Sequence, residues 1–156
     1  MENQSFSTGL MLLIVGIVAS TLTDCGALNR APSGNNPVAN GKWIYDTGTD
    51  PDGRQIPYTG GMMMQTSCAG CHGADGHGLR TPMFVAPNIT YHNLTDPAGM
   101  LEPDGVRSPT YTDALIRRAV TEGIDAEGDP LNSLMPRWQL TDQEWNDLPA
   151  YLKTLQ

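Results

Sequence analysis

Residues 68–72 read Cys-Ala-Gly-Cys-His, the pattern C-x-x-C-H, and the rest of the chain is best read outward from them. Two thiols three positions apart lie about one helical turn from each other. At that spacing they can add to the two vinyl groups of a haem, and the histidine beside the second cysteine falls under the iron. A zinc centre would need a further ligand pair, and the one remaining cysteine, Cys25, is alone. A thioredoxin-like dithiol would follow a strand in a βαβ unit. Residues 62–67, Met-Met-Met-Gln-Thr-Ser, offer neither. The expected cofactor is one haem c, held by Cys68 and Cys71, with His72 on the iron.

Composition points the same way. The 156 residues include 17 glycines and 12 prolines, with 6% aromatic and 17% charged residues. So many breakers leave little for a regular helical or strand core, and something other than side chains is expected to fill the middle. The net charge is −8, and the densest basic run is Arg117-Arg118. Phosphate neutralisation is out of reach, so nucleic acid is excluded as a partner.

The N-terminus gives an address. Residues 9–22 read GLMLLIVGIVASTL, an apolar run of 14. That suits the core of an export signal and is short for a membrane span of about 20 residues. No Lys or Arg precedes it. Leu22-Thr23-Asp24-Cys25-Gly26 resembles a bacterial lipobox, with Asp24 where a small residue is usual. Residues 1–25 are therefore expected to be an export signal or membrane anchor, with Cys25 a candidate for lipidation. Residues 26–40 lack periodicity and read as a flexible tether with a reach of about 20 Å. Residues 41–156 form the domain proper.

Residues 41–156 resemble the mono-haem c-type cytochromes of the Met/His-ligated, class I family. Cys68–Gly78 (CAGCHGADGHG), Leu134-Met135-Pro136 and the helix-like Thr141–Leu155 carry the likeness. Ala86–Thr90, Tyr111–Gly123 and Met135-Pro136 are more narrowly similar to haem domains of periplasmic dehydrogenase cytochrome subunits. The resemblance implies a mainly α fold of a few helices and long loops wrapped around one covalent haem. It implies Met135 as the second axial ligand, since a thioether opposite an imidazole favours ferrous iron. It also implies that a proline carbonyl, that of Pro87, accepts the Nδ1 proton of His72 and fixes the ring. His77 and His92 are alternative ligands, better read as solvated loop residues. The remaining methionines, Met62–Met64, Met83 and Met100, read as filler against the haem. Arg80, Arg137 and Trp138 are candidate donors to the haem propionates, and Trp43, Tyr45 and Trp145 read as packing around it.

Local signals outline the elements. Residues 41–45 (GKWIY) look like the start of the first helix, Asp46–Gly61 like an inserted loop or hairpin, and Met62–Ser67 like a short helix into Cys68. Residues 73–109 read as a long haem-wrapping loop. A helix begins at Thr110-x-x-Asp113 and ends at Gly123; another begins at Thr141-x-x-Glu144 and carries Trp145, Leu148, Leu152 and Leu155 on one stripe. Pro149 falls inside that helix and should interrupt its hydrogen bonding.

Three functions compete. The first is a one-electron carrier, not an enzyme, working at the outer, extracytoplasmic face of the membrane between membrane redox complexes. The second is the haem subunit of a larger dehydrogenase or oxidase. The third is a small-ligand sensor or enzyme with an open iron site. No catalytic triad, P-loop or dinucleotide fingerprint is present, and Met135 separates the first reading from the third.

Overall fold

A computed structural model describes residues 31–32, 34–64 and 66–156. The apolar run, Cys25 and the first part of the expected tether lie outside the described residues. Helix α1 (Pro37–Thr47) begins four residues before the expected domain start. Asn36 caps it, its Oδ1 accepting from Ala39 N at 3.1 Å, and Pro37 occupies the first turn, where a missing N–H leaves no gap. Residues 37–40 are thus helix rather than tether: the Asn-Pro pair that reads as linker is equally a helix start. Gly48 ends α1 with φ 68°, its N–H donating to Ile44 O.

Helix α5 (Asp142–Leu152) opens on the expected capping box: Thr141 Oγ1 accepts from Glu144 N, and Glu144 Oε2 accepts from Thr141 N at 2.7 Å. It continues through Pro149, which is buried, to Leu152. Leu155 lies beyond its end but still packs on the core. Helices α1 and α5 pack against each other. Gly41 permits this: a Cβ there would collide with the Asp147 carbonyl of α5 and come within 2.9 Å of Tyr151 Cβ. Beside it the Asp147 carboxylate, 2% exposed, accepts from Asn40 Nδ2 at 3.1 Å and Gln143 Nε2 at 2.9 Å. A buried carboxylate is tolerable only with such partners.

Helix α4 (Asp113–Glu122) is capped by Thr112, not Thr110; Thr110 Oγ1 instead donates to Asp96 O. Gly123 ends it at φ 70°. Tyr111 stands before the helix yet is buried in the core with Ile116 and Ala119.

Short ladders replace the long loops. Strands β1 (Tyr58–Thr59) and β6 (Arg137–Trp138) pair antiparallel, as do β2 (Leu79–Arg80) with β3 (Val85–Ala86) and β4 (Met100–Leu101) with β5 (Arg107–Ser108). The one-turn helix α3 (Tyr91–Leu94) lies between β3 and β4. Residues 73–109 are therefore two hairpins and a helical turn rather than one unstructured wrap. The insertion after α1 folds back through a turn in which Asp50 Oδ1 accepts from Asp52 N and Arg54 N, closed by a Thr49–Gln55 bridge. Residues 62–64 and 66–67 are not helical; α2 (Cys68–His72) starts at the first cysteine. Strands of two residues and five helices make the fold mainly α, as expected. Among the described residues no helix is long and apolar enough to cross a membrane.

Candidate haem site

Helix α2 carries the motif. Ser67 caps it through a bond from Gly70 N to Oγ, and one turn brings Cys68 and Cys71 to the same cavity wall. Both thiols are free and half-buried. Burial pushes the Cys68 thiol up to about 12 and raises that of Cys71. Neither is in an environment that favours the thiolate, and α2 is not set in a βαβ unit: the described strands form only two-stranded antiparallel ladders, unlike the frame of a thioredoxin-like dithiol.

His72 closes the helix and is 7% exposed. Its Nδ1 lies 2.9 Å from the Pro87 carbonyl oxygen. That oxygen can only accept, so Nδ1 carries the proton and Nε2 keeps its lone pair. Nε2 has no hydrogen-bond partner among the described residues. Burial lowers the imidazole pKa, the Pro87 carbonyl partly opposing it, so the ring is neutral at neutral pH. Gly78 makes the approach of Pro87 feasible: at φ 85°, a Cβ there would stand 2.7 Å from Pro87 C and 2.8 Å from its oxygen. Gly78 N also donates to His72 O at 2.8 Å.

Two tyrosines, neither recognisable from local sequence, hold the turn that follows. Tyr45, fully buried, donates from its hydroxyl to Gly73 O at 2.7 Å, and Tyr151 reaches Ala74 O at 3.4 Å. Their rings meet at 5.3 Å between centroids. The partners are 28 and 77 residues away in sequence, beyond any spacing rule.

Behind α2 opens a cavity of about 280 Å³ whose walls are mostly apolar. Ile116, Ala119, Trp138, Leu148 and Leu152 belong both to its lining and to the core. The middle of the molecule is therefore a hole that the side chains leave. Met62, Met83, Met100 and Met135 line it. His77 and His92 do not; His92 is exposed, and His77 is 54% exposed beside Asp75. Met100 is core filler at 3% exposure, but Met63 and Met64, read as filler, are 95% and 90% exposed. Trp43 and Trp145 also stay off the cavity wall: Trp43 Nε1 donates to Asp50 O, and Trp145 lies under the Arg117 guanidinium. Arg80 Nη2 donates to Pro103 O. Arg137 directs both terminal nitrogens at backbone carbonyls rather than at the open cavity.

Two thiols one turn apart, a neutral buried imidazole with a free Nε2, a thioether, and an apolar hollow form one site, and that donor set fits a haem. When bound, the haem supplies a one-electron couple at its iron. Comparisons with curated proteins and with solved structures return no match. The family model for cytochrome c does match, over residues 38–156, which takes in α1 from its second residue and every later element through α5. This chain thus belongs to the cytochrome c family, with covalently attached haem c as its cofactor.

Proposed function

We propose that the chain is a one-electron carrier of the class I type, its iron held between His72 Nε2 and Met135 Sδ and its haem bound through Cys68 and Cys71. Family membership supplies haem-based electron transfer. The observation that carries the finer reading is the pairing of His72 Nδ1 with Pro87 O in the cavity that Met135 also lines. The bond orients the ring and leaves Nε2 as the only nitrogen available to iron. With both axial positions filled by the chain, no coordination site remains for a substrate, which separates a carrier from a sensor or enzyme.

The working place proposed for it is the outer face of the cytoplasmic membrane, reached through residues 1–25 and, if processed at the lipobox-like sequence, through Cys25. Its electron donor and acceptor are membrane redox complexes. A second reading, a subunit of a larger dehydrogenase or oxidase like the cytochrome subunits it resembles, draws support from the cavity lining. There Met83 is 72% exposed and Leu134 38%. Exposed apolar groups that also line the cavity suit contact with another protein.

The test is spectroscopic. Protein matured with haem c should give the pyridine haemochrome of a haem with two thioether links. Its oxidised form should show the weak far-red sulfur-to-iron band. Met135→Ala should abolish that band, lower the potential and let the ferrous form bind carbon monoxide. A band that survives Met135→Ala, or is absent from the unaltered protein, rejects the assignment and moves an open-site function forward.

A further inference from the structure

The segment that bears Met135 is gripped by one side chain. Arg137 Nη1 donates to Asn132 O at 3.0 Å and to the carbonyl of Met135 itself. Its Nη2 donates to Leu131 O at 2.7 Å and reaches Gly123 O at 3.5 Å. The four hydrogens of the two terminal nitrogens thus face four carbonyls, three within residues 131–135 and one at the end of α4. Gly123 makes room for the fork: a Cβ on it would overlap the guanidinium. The backbone of Arg137 is fixed separately, paired with Thr59 in the β1–β6 ladder. Two further bonds close the loop, Leu131 N to Gly123 O at 2.7 Å and Gly61 N to Ser133 O at 2.9 Å.

From this geometry we propose that Arg137 is a positioning residue for the axial thioether: its fork ties the Met135 loop to the end of α4 and so keeps Met135 Sδ at the iron. The inference rests on the ligand reading above. A thioether is a weak, neutral ligand, so its hold on iron depends on how little the loop gains by swinging away. A planar guanidinium can satisfy several fixed carbonyls at once, whereas an ammonium offers a point charge on a flexible stem. Loosening the loop raises the fraction of molecules with an open iron. The apparent affinity of an added ligand rises by the same factor.

Imidazole binding to the ferric holoprotein reads that fraction directly. Arg137→Met, Arg137→Lys and Gly123→Ala should each raise the apparent imidazole affinity about tenfold, the scale expected for losing charge-assisted hydrogen bonds. Covalent haem content should stay unchanged, and the far-red band should fade at a lower temperature than in the unaltered protein. Met135→Ala sets the upper limit for a fully open site. If Arg137→Met yields no holoprotein, Arg137→Lys, which keeps the charge and most of the volume, decides the matter. Unaltered imidazole affinity and band stability in Arg137→Lys would overturn the positioning role while Met135→Ala still lost its band. Unaltered protein that bound imidazole as tightly as Met135→Ala would instead remove the ligand reading, and this proposal with it.

Discussion

At the scale of single residues, the proposed ligation of iron by His72 depends on the hydrogen bond at the ring's other nitrogen, Nδ1. With His72 as the proposed ligand, the Pro87 carbonyl would make the imidazole a stronger donor and so favour ferric iron. Gly78→Ala should push that carbonyl back, because the added Cβ would crowd Pro87 and must adopt φ 85°. The potential should then rise on the order of 40 mV, a bond of about 1 kcal/mol converted at 59 mV per tenfold. Redox titration of Gly78→Ala beside the unaltered protein measures this; an unchanged or lower potential would contradict it. Position 72 was legible from the sequence because its neighbours in the motif impose its chemistry. The role of Gly78 was not, since what it accommodates is nine residues on and set by the β2–β3 hairpin.

At the scale of elements, the decisive contact is the crossing of α1 and α5. Gly41→Ala would gain about 1 kcal/mol of helix propensity on an isolated helix. Here the extra methyl meets the α5 backbone at Asp147, which cannot move without shifting the whole helix. The overpacking cost of about 1–3 kcal/mol should prevail, and the variant should unfold at lower denaturant than the unaltered protein. Chemical denaturation of the two holoproteins gives the answer; equal or greater stability would show that the crossing is looser than the geometry implies. Elements were readable where their signals are local. The Thr141–Glu144 box and the apolar residues after it mark α5 without knowledge of any partner. The start of α1 was misplaced because Asn36-Pro37 serves a turn, a linker and a helix cap alike. The ladder of β1 with β6 had no local mark, since Tyr58 pairs with Trp138 and Thr59 with Arg137, 80 and 78 positions away. For the same reason the sequence offered Arg137 as a donor to the haem propionates but did not show the four carbonyls it holds.

At the scale of the whole molecule, the cavity is the hydrophobic centre, and the described residues from α1 onward surround it. A chain beginning at residue 31 keeps the Asn36 cap and all eleven elements, so it should mature as soluble holoprotein with the full haem content. With the thioethers proposed at Cys68 and Cys71, Cys25→Ala in the full chain should retain haem, whereas Cys68→Ala or Cys71→Ala should leave at most a single link. Fractionation and mass spectrometry of the matured proteins distinguish these outcomes; haem loss from the shortened chain or from Cys25→Ala would place part of the site upstream of residue 31. The order of the elements along the chain has its own effect. The main partner of the first helix is the last helix, so α1 lacks its largest packing surface until synthesis has passed residue 152. The Cys68–His72 pentapeptide is made some 80 residues earlier. Until then the cavity beside its thiols lacks the wall that Leu148 and Leu152 supply. The topology makes the last helix the element that completes the cavity wall.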